Sequence, residues 1–380
     1  WGLVGNDATN AGRFAYMEDL VLGGSDSYTT GIRQDTYYSG PSWNRYFNPD
    51  LTWEVGEKIN LGLDLQLFND FNLTFDIFRE KRRDIFMTRE NSIPEIVGTG
   101  ETKITSNNGE MENKGLDLAI DYNKQITKDF FLSFKSTLTF ARNKVLKMDE
   151  SPYFEYPGLS DVGHPLGTYW GYVADGLFPD QETIDNSPRQ DLGYTPQPGD
   201  IKYVNQPNAK GEYDNVINSN DRVAIGHPYD PELVYGFGPS MKWKNWDFSF
   251  FFQGVARTSF MMYGMHPFGT TSIKNMLQFV ADDHWSVDNP NPNAAYPRLT
   301  KDSNGNNDQY STYWLRNAAF LKLKNAEIGY TYKGMRFYLS GVNLLTFSPF
   351  KHWDPEMGGG NGLYYPTQRV FNIGFQMTIQ

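Results

Sequence analysis

Residues 281–289, ADDHWSVDN, contain two adjacent carboxylates, Asp282 and Asp283, followed directly by a histidine and a tryptophan. A glycosidase needs two carboxyl groups that flank the scissile bond from different sides. Asp282 and Asp283 are adjacent, so they cannot face each other across a bond, and the sequence identifies no partner carboxylate. We therefore predict that the chain is not an enzyme.

Metal and cofactor sites are equally poorly supported. The segment GGGNG (358–362) has no following lysine or helical pattern, so it does not indicate a phosphate-binding loop. The five histidines lack the HxH or HExxH spacing of zinc sites. They are His164, His227, His266, His284 and His352. We predict no metal and no cofactor.

Aromatic residues in the long irregular segments are better candidates for ligand contact. Sugar rings stack their C–H faces on Trp and Tyr, while polar side chains bind the hydroxyls. On this basis the candidate ligand-binding residues are Tyr169, Trp170, Asp283, Trp285 and Trp353. Each aromatic residue could equally be a packed anchor of its own loop, and the pattern does not separate a peptide ligand from a glycan.

Charge excludes one class of partner. The net charge is −11 and the pI is about 5.0, whereas nucleic-acid binding needs clustered Lys and Arg. REKRRD (79–84) is the only basic cluster. At a strand end it would suit lipopolysaccharide phosphates, and a solvated rim with local ion pairs is the alternative.

Without cysteine, the chain has no disulfide and no catalytic thiol.

The alternation of apolar and polar residues predicts the strands that position the candidate residues. In residues 51–68, LTWEVGEKINLGLDLQLF, odd positions are apolar except Glu57 and even positions are polar except Phe68. This period of two is typical of a strand, but soluble strands usually run about 5–6 residues. Together with eight further segments that alternate similarly, this segment gives nine predicted strands. The eight further segments are 71–78, 113–122, 130–145, 233–243, 246–254, 320–332, 336–345 and 371–380.

The connections indicate how the strands are arranged. Short turns alternate with long gaps at 88–110, 149–231, 259–312 and 348–366, as in a transmembrane antiparallel β-barrel with long extracellular loops. Aromatic residues near strand ends, such as Trp243 and Tyr330, suit the interfaces of a membrane. No run approaches the roughly 20 apolar residues of a membrane helix. A soluble β-sandwich or solenoid also alternates and is the structural alternative.

A series of motifs extends through essentially the whole chain. In order, it resembles the C-terminal part of SusC/RagA-type TonB-dependent outer-membrane transporters. The motifs are NPDLTWEVGEKINLGLDLQLF (48–68), NKGLDLAIDY (113–122), GHPLGTYWGYVADGLF (163–178), GDIKYV (199–204), NDRVAIGHPYDPELVYGFG (220–238), FSFFFQG (248–254), DHWSVDNPNPNAAYPRL (283–299), YWLRNAAFLKLKNAEIGY (313–330) and YLSGVNLLTFSPFKHWDPE (338–356).

The resemblance implies a 22-stranded plugged barrel in the Gram-negative outer membrane. Such a barrel imports glycans or oligopeptides with a SusD-like surface lipoprotein and is driven by the TonB–ExbB–ExbD complex. Residues 1–50 would form an extracellular loop region, and 51–380 the last nine strands and their loops. We expect the signal peptide, TonB box and plug outside this chain. Nine strands alone would leave two open edges in lipid, so we expect a fragment of a larger barrel.

Two features depart from the family pattern. Where members often carry an Asp- and Gly-rich turn, residues 204–222 read VNQPNAKGEYDNVINSNDR, too sparse in carboxylates for a Ca²⁺ loop. Outer-membrane barrels commonly end on an aromatic residue, but this chain ends MTIQ. Two functions stay open beside import: a passive porin-type channel, and a soluble secreted protein that binds or cleaves glycans.

Overall fold

The computed structural model describes residues 1–7, 14–23, 27–89, 91–97, 104–151, 155–264, 277–300 and 303–377. Ten antiparallel strands form one sheet, in which neighbours along the chain are neighbours in the sheet. The strands are β1 (Gly2–Asn6), β2 (Glu54–Leu67), β3 (Phe71–Arg89), β4 (Ile104–Thr127), β5 (Phe130–Lys147), β6 (Leu233–Trp243), β7 (Trp246–Ala256), β8 (Phe320–Tyr332), β9 (Met335–Phe347) and β10 (Val370–Met377).

All nine predicted strands are present, and β1 is an additional one. It pairs with β2 from Gly2 opposite Lys58 to Asn6 opposite Glu54. Residues 1–50, which the sequence assigned to a loop region, therefore contain one strand of the sheet. Its sequence, GLVGN, has its two large apolar residues side by side, so it shows no alternation. The predicted chain end, 378–380, lies outside the described residues.

Strands β3 and β4 are longer than predicted, with 19 and 24 residues. The expected gap at 88–110 is therefore wrong in extent, because only 90–103 separates the two strands. The basic segment 79–84 lies within β3 and not at its end. Above the hydrocarbon, outward residues no longer need to be apolar, so the strand continues after the apolar signal has stopped.

The sheet has one apolar and one polar face. Register aligns Leu61, Ile77, Leu116 and Phe140 in one row across four strands. The apolar face is uncovered: Leu61 is 68% exposed. On the opposite face, Thr74 donates to Asp64 at 2.7 Å, and Thr139 donates to Asp117 at 2.6 Å. An uncovered apolar face beside a hydrogen-bonded polar one is the arrangement of a barrel wall between lipid and a wet lumen.

The two ends of the sheet differ. One end has tight turns, including 128–129, 244–245 and 333–334. At the last of these, Lys333 and Gly334 have φ of 47° and 80°, as a two-residue type I′ turn requires. Trp246 and Tyr330 pack near this end, with ring centroids 4.8 Å apart, where an interface girdle is expected.

The long connections carry short elements of their own. Among the described residues, no helix is long and apolar enough to cross a membrane. The helices are α1 (Gln181–Asp185) and α2 (Gln278–Asp282), with 3-10 turns at Glu95–Val97, Pro157–Leu159, Ser219–Asp221 and Pro355–Met357. The short strands are Asp19–Val21, Ser27–Thr30, Thr36–Ser39, Ser42–Arg45, Tyr169–Gly171, Ala174–Leu177, Arg189–Gln190, Ile201–Tyr203, Val216–Ile217, Val223–Ile225, Ser259–Met261 and Leu315–Asn317.

Candidate ligand-binding site

Three long connections pack together into one body. We call them loop A (148–232), loop B (257–319) and loop C (348–369). Their apolar side chains form a single buried cluster, so these loops have a hydrophobic core like that of a small domain. Its members are Tyr172, Leu177, Ile201, Tyr203, Ile217 and Ile225 from loop A, Phe260, Met261, Met262, Val280, Trp285, Ala294, Tyr296, Trp314 and Ala318 from loop B, and Phe350 from loop C.

A buried polar network fastens loop A to loop B. The carboxylate of Asp200 in loop A is fully buried and accepts from Arg298 Nε at 2.7 Å. It also accepts from the side-chain amides of Asn304 at 3.1 Å and Asn307 at 2.8 Å. A buried carboxylate is stable only when paired and hydrogen-bonded, and Asp200 meets both conditions. The network therefore fixes the two loops relative to each other.

Loop C is attached to the lumen face of the sheet. The side chain of Lys322 leaves β8 on the face opposite to that of Leu323 and has no exposed surface. Its ammonium group lies 2.6 Å from Asp354 and 2.5 Å from Glu356. Lys324 adds a contact of 3.0 Å to Glu356. Because an unpaired buried ammonium is very costly, Lys322 requires these loop C carboxylates. Loop C therefore folds inward.

Loop A also lies against the lumen face. The backbone N–H of Leu166 donates to Asn143 Oδ1 at 2.7 Å, and Asn143 is on the face opposite Phe140. A cavity of about 540 Å³ separates this part of loop A from the wall. Its lining includes Glu54, Glu80, Arg82, Asn143, Leu166 and Glu232. With loop C attached likewise, the loop body covers part of the barrel mouth.

Two of the five predicted ligand contacts pack within the loop body. Trp285 is only 7% exposed, and a Cβ at Gly199 would lie 2.3 Å from its ring. Trp353 is half-buried, lies 4.6 Å from the Phe350 ring centroid, and donates from Nε1 to the Gly358 carbonyl at 2.9 Å. Both rings therefore act as loop anchors, and Trp285 has little surface left for a ligand.

The other three predicted residues keep accessible surface. Trp170 is half-buried and donates from Nε1 to Asp161 Oδ1 at 2.7 Å. Asp283 is exposed, and its backbone carbonyl accepts from the N–H of Tyr296 at 3.1 Å. Tyr169 is half-buried on the strand Tyr169–Gly171. As ligand contacts, all five residues stay a prediction; the structure does not bring them into one site.

Tyr169 lies near Tyr229 of loop A and near Tyr263 and Tyr310 of loop B, and Tyr263 lies near Tyr364 of loop C; we call these five residues the tyrosine cluster. Burial raises the pKa of Tyr169 to about 12, and Tyr229, Tyr310 and Tyr263 add to that rise. Tyr263 and Tyr364 approach each other at Gly360, where an added Cβ would lie 3.6 Å from Tyr263 and 3.5 Å from Tyr364. Four of the five stay open to solvent, with exposed fractions of 60% for Tyr229, 52% for Tyr263, 47% for Tyr310 and 56% for Tyr364.

A cavity of about 310 Å³ lies beside the tyrosine cluster. Tyr263 and Tyr310 line it together with Trp314, Arg298, Asn304 and Asp308. It combines aromatic faces with a guanidinium, an amide and a carboxylate, which is the mixture that binds a polar ligand with apolar faces. This grouping could not be predicted from the sequence, because single tyrosines far apart in the chain show no common spacing.

Metal sites can be judged for the described residues alone. Within them, no group of three or more His, Asp or Glu side chains is arranged to hold a metal ion. His266 lies outside the described part of the chain. Asp221 in the turn before β6 accepts from the N–H groups of Gln206 and Asn218 at 2.7 Å each, so its carboxylate closes a turn.

Comparison with known proteins agrees with this architecture. TonB-dependent receptor SusC of Bacteroides thetaiotaomicron is 28% identical over 99% of this chain and 37% of its own length. TonB-dependent receptor P3 of Formosa agariphila is 26% identical over 90% of this chain and 36% of its own length. The chain therefore spans less than half the length of these relatives, which are receptors and not enzymes.

Solved structures give the same fold. The RagAB peptide importer in its open-open state matches with a TM-score of 0.72 and 20% identity, over 99% of this chain and 39% of the other. The RagAB peptide transporter matches with a TM-score of 0.68 and 21% identity. The family model described as TonB dependent receptor-like, beta-barrel matches residues 11–344. The chain thus belongs to the TonB-dependent receptor β-barrel family and is a partial barrel of the outer membrane.

Proposed function

We propose that the chain contributes wall and extracellular loops to an energy-coupled outer-membrane importer of glycans or oligopeptides. The observation that carries the proposal is the cavity of about 310 Å³ in loop B, which Tyr263 and Tyr310 of the tyrosine cluster line. Membership of the receptor family supports import over a passive channel. The uncovered apolar face of the sheet argues against a soluble secreted protein.

The ligand chemistry follows from the side chains. Tyr263 and Tyr310 offer ring faces to the C–H faces of a sugar or to apolar peptide side chains. Arg298, which also pairs with Asp200, and Asp308 add a guanidinium and a carboxylate to the lining, whereas Asn304 is buried and bonded to Asp200. Trp170 and Asp283 extend the candidate surface, whereas Trp285 and Trp353 hold the loops in place. One of the structural matches, RagAB, is a peptide transporter, so oligopeptides belong in the test set beside glycans.

The remaining steps would need further components. A SusD-like surface lipoprotein would deliver the ligand to the loop body. The ligand would then pass along the polar face, where Asp64 and Asp117 lie, once the TonB–ExbB–ExbD complex has pulled the plug. The attachment of loops A and C to the lumen face supports this route, because it puts the tyrosine cluster in a body that borders the lumen.

The test is ligand binding by a variant with Tyr263→Ala and Tyr310→Ala. The intact polypeptide that carries this chain would be purified in mild detergent and titrated calorimetrically with oligosaccharides and oligopeptides. Loss of two ring contacts of about 1 kcal/mol each predicts a roughly tenfold or larger loss of affinity.

Tyr365→Ala is the matched control, because Tyr365 lies in loop C, is 81% exposed and is outside the cluster. It should bind like the unaltered protein. Equal affinity in the double variant and the control would show that the cluster does not bind the ligand and would remove the support for this site.

A further inference from the structure

We propose that the outer face of β2–β5 carries a binding site for the phosphate groups of an anionic lipid of the outer leaflet. Six cations on this face form what we call the cationic belt. They are Arg79, Lys81, Arg83, Lys114, Arg142 and Lys144. The inference depends on the outer-membrane location of the sheet and not on what the importer carries.

Register puts the cationic belt directly above the lipid-facing rows. Arg79 pairs with Ile59 and Lys114, and Lys114 pairs with Arg142. These positions are two residues along each strand from the apolar row of Leu61, Ile77, Leu116 and Phe140, so the side chains leave the same face of the sheet. The next row up contains Lys81 and Lys144.

The row order fixes the depth of the cationic belt in the membrane. Strands β2 and β3 are joined at 68–70 by a tight turn, and the cationic belt lies toward the opposite, long-loop end. In an outer-membrane barrel this is the extracellular side. The cations therefore lie where the hydrocarbon ends and the headgroups of the outer leaflet begin.

The cations are ordered but still accessible. The carboxylate of Glu112 lies between Arg79 Nε at 2.5 Å and Lys114 Nζ at 3.3 Å, and Glu110 meets Lys81 at 2.9 Å. Even so, the side chains of Arg79 and Lys114 are 56% and 63% exposed. The carboxylates hold the stems in position, while free N–H groups remain for a phosphate, which Arg can bind in a bidentate way.

The charge balance favours an anionic ligand. The rows of the cationic belt contain its six cations and a seventh, Lys147 opposite Glu110, against three carboxylates, Glu57, Glu110 and Glu112. Arg83 and Arg142 also contact Asp84 and Glu232, which leaves a surplus of two positive charges. In a chain of net charge −11, a local cationic surplus on the lipid-facing side is a marked exception.

The experiment compares lipid binding by two triple variants of the intact polypeptide. The outer variant combines Arg79→Gln, Lys81→Gln and Lys114→Gln. The inner control combines Lys58→Gln, Lys135→Gln and Lys242→Gln, three exposed cations on the lumen face of the same sheet. Both lose three positive charges, and heat-modifiable migration on gels checks that each barrel is folded.

Bound lipid would be counted by native mass spectrometry with diphosphoryl lipid A, with its dephosphorylated form and with inorganic phosphate. We expect the unaltered protein to prefer diphosphoryl over dephosphorylated lipid by at least tenfold. The outer variant should lose at least tenfold in lipid A binding, and the inner control should not change.

Three results would overturn the proposal. One is equal binding of the two lipids by the unaltered protein, which needs no variant to fold. The second is equal loss in both variants, which would mean that net charge and not the cationic belt governs binding. The third is binding of inorganic phosphate through the same three residues while lipid A does not bind, which would assign the site to free phosphate and reject the lipid.

Discussion

At the residue scale, Asp200 decides whether loops A and B form one body. Its carboxylate is fully buried against Arg298, Asn304 and Asn307. Asp200→Asn removes the charge that Arg298 needs, and breaking a buried pair from one side typically costs about 3–5 kcal/mol. We predict that the loop body unfolds at a correspondingly lower denaturant concentration while the barrel stays folded, as pulse proteolysis of the loops would measure.

Asp175→Asn is the control for that variant. Asp175 pairs with Lys202 at 2.8 Å, but its side chain is 58% exposed, so its loss should cost less than about 1 kcal/mol. Equal proteolysis of the two variants would contradict the role given to Asp200. Such a pairing could not be read from the sequence, because Asp200 and Arg298 are nearly a hundred positions apart and neither belongs to a periodic pattern.

At the element scale, the attachment of loop C to β8 should depend on pH. Burial raises the pKa of Asp354 and Glu356, but hydrogen bonds from Lys322 outweigh it and hold both pKa values below the usual carboxyl range. Groups with lowered pKa stabilise the folded state above the usual value, near 4, and this stabilisation is lost as the pH falls through the lowered values. Loop C should therefore stay attached at pH 5–8 and detach below about pH 4.

Fluorescence of the half-buried Trp353 and protease cleavage within loop C would follow the detachment. Lys322→Met should loosen loop C already at pH 7, because it leaves the two carboxylates without their buried partner. Lys351→Met, an exposed lysine of the same loop, should not. Detachment of the unaltered loop between pH 8 and pH 5 would rule out these carboxylates as the groups that hold it.

The elements differ in how far the sequence could predict them. All nine strands with an apolar outer face follow from alternation, because lipid imposes the same demand on every second residue. Strand β1 and the upper parts of β3 and β4 escaped prediction, since outside the hydrocarbon this demand ends. The loop core escaped it too: Trp285 and Trp353 were recognisable as unusual loop aromatics, but whether such a ring packs or binds is decided by distant residues.

At the scale of the whole molecule, the same ten strands serve three environments. Their apolar rows face lipid, their polar face borders the lumen, and their upper rows carry charge at the headgroup level. The loop body closes part of the mouth and is fastened to the lumen face by Lys322. Ligand capture, passage and lipid binding all depend on this division of one sheet between three surroundings, because the face that each residue occupies decides what it meets.

A cysteine scan along β2 tests whether one face of the sheet meets lipid and the other meets water. The chain contains no cysteine, so each introduced thiol is the only one that it contributes. Single substitutions at 60–65 would be made in the intact polypeptide, and outer membranes would be treated with a membrane-impermeant maleimide. We predict labelling at Asn60, Gly62 and Asp64 and protection at Leu61, Leu63 and Leu65, with a period of two. Equal labelling of both sets would contradict a sheet with one lipid-facing and one wet face.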